Sequence, residues 1–180
     1  LEEDGSVSMM ETSIDENTMP HYMITRPVPA DKELSRNMVE ALKAEGVPVA
    51  CGLNATACSF YSSQGRVDSH FMDCNRSLLS GLTSSSPKAI SLEMETFQLL
   101  DLARCSRGSI KCSAACIAVA CRTTNNFMDL ALLPEIEQAA GKAVLEALVA
   151  CGVQNDSSTE CPVEGVSYVW GPSPREGSPR

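Results

Sequence analysis

The chain has 180 residues, of which 43% are hydrophobic and only 4% aromatic, so it can build one domain whose core rests on aliphatic, Met and Cys side chains. Its formal net charge of −9 argues against a general nucleic-acid binder, which needs a basic surface to displace counterions. No apolar run in it approaches the about 20 residues that a membrane-spanning helix requires.

Residues 1–19 hold Glu2, Glu3, Asp4, Glu11, Asp15 and Glu16 without a balancing base. They read as a loop or disordered lead-in, and not as a secretory signal. His21 to Val28 reads as a strand, closed by Pro27 and Pro29. Asp31 to Glu45 reads as a helix, with Asp31 as N-cap and Leu34, Met38, Ala41 and Leu42 on one face. Gly46 suits the position just past its end. Val47 to Cys58 is apolar and small, and predicts a strand bent near Pro48. Phe60 to Asp68 is a polar loop. Asp73 to Leu82 predicts a short helix, and Thr83 to Pro87 a turn.

Ala89 to Leu92 predicts a short strand leading into a helix from Met94 to Cys105, whose core contacts are Leu99, Leu100 and Leu102. Gly108 breaks the chain. Ile110 to Cys121 predicts a second apolar strand, followed by a loop over 123–133. Pro134 to Ala150 reads as a long helix with Pro134 in its first turn and Ile136, Ala140, Val144 and Leu148 at four-residue spacing. Residues 151–180 are rich in Ser, Pro and Gly and read as a loose tail. Alternating strands and helices predict an α/β domain, with functional groups collected where strands end.

Nine cysteines, an odd number and without a C-x-x-C pair, read as free thiols in a reducing compartment, here the cytoplasm. His21 and His70 are far apart, so the expectation is no metal site. The glycines are too widely spaced for G-x-G-x-x-G, a Walker phosphate loop or G-x-S-x-G, which removes support for dinucleotide enzymes, P-loop ATPases and serine hydrolases.

Three polar features remain. Glu93-Met94-Glu95 sits where a strand meets a helix, and carboxylates at i and i+2 share one side of an extended backbone. A carboxylate can accept two hydrogen bonds from a vicinal diol such as a ribose edge. Taken alone, acidic residues at a helix start more often just complement the helix dipole. In the loop, Gln64 offers a donor and an acceptor, Arg66 a fork of donors, and Phe60 a face for a base or sugar. By itself that loop is more often a solvated surface. Arg122 ends the apolar run Val119-Ala120-Cys121, where a strand-end salt bridge is an equal alternative.

Together these pieces resemble the uridine phosphorylases of the nucleoside phosphorylase family. The stretches that carry the resemblance are GLNATACSFYSSQGRVD (52–68), SLEMETFQLL (91–100) and CIAVACRTT (116–124), with ITRPVPADKELSRNMVEAL (24–42) before them. The likeness covers residues 20–150 and implies the C-terminal half of a three-layer αβα sandwich with a mixed central sheet. It implies that Phe60, Gln64, Arg66, Glu93, Met94, Glu95, Val119 and Ala120 bind the nucleoside: Gln64 and Arg66 on uracil, Glu95 on the ribose hydroxyls, Val119 and Ala120 in the pocket wall. Arg122 and Glu95 are the implied catalytic pair. Purine-specific relatives carry Asp at the position of Arg122, whereas Arg suits a uracil leaving group whose charge spreads onto its carbonyls.

Two positions depart from the family pattern: Cys121 stands where Asn is usual, and Ser63 where a Gly usually precedes the Gln. The family's phosphate groups, a Gly-rich loop and arginines, do not occur in this sequence. The expected reaction of the complete protein is phosphorolysis of uridine to uracil and ribose 1-phosphate. Phosphate is the co-substrate, no cofactor is needed, and the assembly is a homodimer or hexamer. The alternatives are a truncated, inactive relative that at most binds nucleoside or a partner, and a nucleoside phosphorylase of other specificity.

Overall fold

Ser6, Val7, Ser8 and Met9 alternate polar and apolar, and that period makes a strand, β1 (Gly5–Glu11). The computed structural model of the chain describes residues 5–11, 22–66, 69–70 and 75–152. The acidic lead-in expected over 1–19 is therefore corrected for residues 5–11. The charge of the whole stretch masks a short two-faced pattern that is buried on both sides. Val7 and Met9 are buried, and so are Ser6 and Ser8.

β1 lies at the centre of a five-stranded sheet in the order β2-β1-β4-β5. The strands are β2 (Tyr22–Ile24), β3 (Val28–Pro29), β4 (Leu53–Ala57) and β5 (Ala89–Glu93). β4 runs parallel to β1 and β5 parallel to β4. β2 and β3 pair antiparallel with the other flank of β1, through Met9↔Ile24 and Gly5↔Pro29. The sheet is mixed, as the resemblance implies. The strand expected from His21 to Val28 is thus two short pieces, because Pro27 has no N–H to continue a ladder. His21 itself lies outside the described residues.

The two faces of the sheet are chemically different. Val7 and Met9 of β1 stand in register with Ala55 and Ala57 of β4, and these four pack with Leu78 and Leu82. Both leucines belong to α2 (Leu78–Ser85). On the opposite face Ser6 and Ser8 stand in register with Asn54 and Thr56, and Thr56 Oγ1 accepts the backbone N–H of Phe97 at 2.9 Å. Phe97 belongs to α3 (Thr96–Cys105). Helices therefore cover both faces, in αβα layers. α2 starts later than expected and runs through the supposed turn residues Thr83 and Ser84. Their hydroxyls bond back to Leu79 O and Ser80 O, so the helix satisfies them internally.

α1 (Lys32–Ala44) forms where its cap predicts: Asp31 Oδ1 accepts from Leu34 N at 2.8 Å. It packs on α4 (Leu133–Ala150) through Leu34, Met38 and Ala147. The fully buried residues of α4 are Ala143 and Ala147; of the predicted line Val144 packs partly buried against this cluster, whereas Leu148 stays exposed. Small side chains let the helices approach. On α3 only Leu100 is buried, while Leu99 and Leu102 are exposed. An apolar cleft of about 850 Å³ opens between α1, α4 and residues 113–118.

Residues 110–121 are not the strand their composition predicts. The stretch carries no regular secondary structure, and its one ladder contact among the described residues is a bridge, Ala120↔Phe127. Its start is fastened instead to the head of α1. Asp31 N donates to Cys112 O at 2.7 Å, Ser35 and Ser113 hydroxyls meet at 2.8 Å, and Lys111 pairs with Glu33. An apolar run states what a segment favours burying, not which ladder receives it. Likewise 47–52 stays outside the sheet, and β4 begins only at Leu53. The tail expected over 151–180 lies outside the described residues from 153 onward.

Candidate active site

β4 and β5 are parallel neighbours, so the loops that follow them leave the same edge of the sheet. Cys58 to Arg66 follows β4, and Glu93 to Thr96 joins β5 to α3. Both polar motifs singled out in the sequence therefore share one edge. Their positions follow from topology, because ladder direction fixes where each strand ends.

The loop after β4 is folded tightly on itself. Ser63 is fully buried, and its Oγ accepts from Ser59 N at 2.7 Å. A 3-10 turn, Ser62–Gln64, closes on Gly65, whose φ of 64° is a left-handed conformation that a side chain would disfavour. The loop presents Arg66 over the face of Phe60, with the guanidinium 4.0 Å from the ring centroid. Phe60 also meets Tyr61 edge-on at 5.2 Å. Gln64 is buried, and its Oε1 accepts from Arg66 Nη2 at 3.3 Å.

Arg122 is brought to this loop from 58 residues away: its Nη2 donates to Gln64 O at 3.0 Å. Burial, with repulsion from Arg66 as a second cause, pushes its guanidinium pKa down. The Nε–H groups of both Arg66 and Arg122 are buried without a hydrogen-bond partner. Neither arginine has an ion pair among the described residues. The strand-end salt bridge weighed for Arg122 is therefore not found there. Two neighbouring cations with unused donors, and no acid paired with them among the described residues, leave hydrogen-bonding capacity that electron-rich oxygen can accept.

Val119 and Ala120 lead into Arg122 through a tight reversal. Met128 N donates to Val119 O, and Cys121 N to Asn126 O. Asn125 turns the chain with φ 57°, which Asn tolerates better than most residues. Val119 is exposed, and Ala120 is half-buried. Cys121 is exposed, with Sγ 3.2 Å from Thr123 Oγ1. Hydrogen bonds from the hydroxyl groups of Thr123 and Thr124, with their backbone groups adding, draw its thiol pKa down to about 6.

Glu93 and Glu95 have different surroundings. Glu93 Oε1 accepts from Thr56 Oγ1 at 2.5 Å and Asn54 Nδ2 at 2.6 Å. Its Oε2 accepts from the backbone N–H groups of Glu95 at 2.7 Å and Thr96 at 2.8 Å. Partial burial pushes its carboxyl upward, but these donors together outweigh burial and hold it below the ordinary carboxylate range. With its acceptor capacity spent inside the protein, Glu93 is a brace for the β5–α3 junction. Glu95 is exposed, and among the described residues its carboxylate accepts one bond, from Met94 N to Oε2 at 3.2 Å. It keeps oxygens free for a ligand.

The sequence reading missed Asn54 and Thr56, which bind Glu93 from β4. Ser6 adds to this network, 3.0 Å from both Asn54 Nδ2 and Thr56 Oγ1. The signal was present: polar residues alternate with Leu53, Ala55 and Ala57 in a strand taken as simply apolar. Asn75 was also missed, and no local pattern marks it. Among the described residues no cluster of acids, His and Cys is placed to hold a metal, and no helix is long and apolar enough to cross a membrane.

The chain is similar to known proteins over most of its length. The profile of the Phosphorylase superfamily matches residues 3–151. A curated uridine phosphorylase of Thermococcus kodakarensis is 30% identical over 115 residues, covering 62% of this chain and 40% of that protein. A solved structure from a study of two diverse uridine phosphorylases in the oomycete Phytophthora capsici is 36% identical, with a TM-score of 0.72. That match covers 81% of this chain and 57% of the solved one. This chain thus spans only about half the length of the relatives it matches. The profile begins at residue 3, ahead of β1, so the acidic start lies within the matched region and not before it. Fold, paired motifs and profile agree, and the chain belongs to the phosphorylase superfamily.

Proposed function

We propose that the complete protein is a uridine phosphorylase and that this chain carries its nucleoside-binding half. In that reaction a phosphate oxygen bonds to C1′ of the ribose while the C1′–N1 bond breaks. The electron pair of the broken bond leaves with uracil, whose carbonyl oxygens share the charge. The observation that carries the reading is the pair Arg66 and Arg122 beside Gln64, with two buried, unpartnered Nε–H donors. A ring with two carbonyls and an N–H between them fits an amide flanked by two guanidinium groups. Charge that appears on a carbonyl as the bond breaks is stabilised by cations already in place.

The remaining assignments follow from this reading. Glu95 takes the ribose hydroxyls with Met94 beside it. Phe60 lines the site from under Arg66, and Val119 and Ala120 form part of the base wall. Phosphate enters as co-substrate, and the residues that hold it come from the rest of the protein. The complete protein works in the cytoplasm as a homodimer or hexamer. One observation favours a second reading for the isolated chain, an inactive nucleoside binder: its glycines are dispersed and form no phosphate loop. The test is uracil release from uridine by the complete protein, with and without phosphate. Release only with phosphate is expected, and equal rates would identify a hydrolase and defeat the proposal. Robust turnover by the 180-residue chain alone would defeat the division into halves.

A further inference from the structure

Asn75 is 1% exposed, lies outside both motifs, and touches the loop that carries Gln64 and Arg66 at two points. Its Nδ2 donates to Ser62 O at 3.1 Å and to Arg66 O at 2.8 Å. Both partners are backbone carbonyls, which only accept, so the amide must face them with its NH₂. One side chain thereby joins the two ends of the turn that presents Gln64. The backbone of Asn75 is fixed as well: its carbonyl accepts from Leu78 N at 3.0 Å, at the head of α2. α2 is anchored in the core by Leu78 and Leu82. The turn is thus referred to the sheet through Asn75, and not only through β4.

The other amide atom is informative. Asn75 Oδ1 is buried with no hydrogen-bond partner. An unsatisfied buried acceptor is a cost to folding. A side chain that bears this cost while spending both donors on one turn is suited to holding that turn's shape. From these contacts we infer that Asn75 is a positioning residue for base recognition, setting the separation of Gln64 and Arg66. It has no contact with substrate itself. The Arg122 contact to Gln64 O depends on the same turn, so Asn75 also sets where the second cation meets the first. This inference rests on the nucleoside reading above.

The variants are Asn75→Asp, which replaces the donor with an acceptor facing two carbonyls, and Asn75→Ala, which removes the clamp without adding charge. Two readouts are needed on the complete protein. The first is amide hydrogen exchange at Gln64, Gly65 and Arg66, whose N–H groups bond within the turn to Tyr61 O, Ser62 O and Tyr61 O. Exchange there is expected to rise roughly tenfold for loss of about one net hydrogen bond. Exchange in β4 should not change, which shows that the fold is intact. The second readout is uracil affinity by calorimetry, in wild type and with Arg66→Ala. Asn75→Ala is expected to weaken uracil binding in the wild-type background and to add little once Arg66 is gone.

Unchanged exchange in the turn overturns the clamp. Faster exchange with unchanged uracil affinity overturns the positioning role, as does an undiminished effect in the Arg66→Ala background. A complete wild-type protein that binds no uracil removes the nucleoside reading and the positioning role with it, while the exchange result still decides the clamp.

Discussion

Replacing Glu93 by Gln tests the brace at the β5–α3 junction. The carboxylate accepts four hydrogen bonds, two from side chains of β4 and two from backbone amides. A Gln keeps one oxygen. Turned toward the amides of Glu95 and Thr96, which cannot reorient, it places its NH₂ against Asn54 and Thr56. Two charge-assisted bonds are lost there, nominally about 1.5–3 kcal/mol each. The Thr56 oxygen already accepts from Phe97 N and Asn54 Nδ2, while the group is partly open to solvent, so a net loss of about 2–3 kcal/mol is expected. With a urea m-value of about 1–3 kcal/mol per M, the unfolding midpoint should fall by roughly 0.7–3 M at an unchanged slope.

The pH dependence of the same variant sharpens the test. The folded-state pKa of Glu93 is depressed. Its contribution is therefore complete above the ordinary glutamate range and is lost as pH falls through the lowered folded value. The gap between wild type and Glu93→Gln should be widest near neutrality and shrink in acid. Equal midpoints at neutral pH, or a gap that persists unchanged in acid, would refute the brace.

Three further outcomes are expected. Gln64→Ala or Arg66→Ala should weaken uridine use by the complete protein by about 1–3 kcal/mol in kcat/KM, and unchanged kinetics would remove the loop from the site. Cys121 should be the fastest to react with iodoacetamide near pH 7 of the exposed cysteines among the described residues, because its thiol pKa of about 6 leaves it mostly thiolate. Peptide mass spectrometry checks this, and equal labelling of Cys51, Cys105 and Cys116 would contradict it. Gly5→Ala should destabilise by about 1–3 kcal/mol, because its Cβ would lie 2.5 Å from Val28 O across the β1–β3 contact. A midpoint unmoved by that change would dispute the pairing of β1 with β3.

The amino-acid order alone determined what short-range physics controls. Asp31 caps α1 because the donor it satisfies is three residues away, and Gly46 ends that helix with a positive φ that suits glycine. The α/β alternation was legible for the same reason, whereas the 60–66 loop and Glu93-Met94-Glu95 were joined only by their resemblance to uridine phosphorylases. The tertiary structure decided what depends on distant partners. Whether 5–11 joined a sheet depended on β4, and whether 110–121 did so depended on a ladder the described residues do not provide. Glu93 and Glu95 are the same residue type two positions apart. Only the arrival of Asn54 and Thr56 from a neighbouring strand consumed one carboxylate and left the other open. A sequence states which atoms are able to hydrogen-bond, and the fold determines which of them are already engaged.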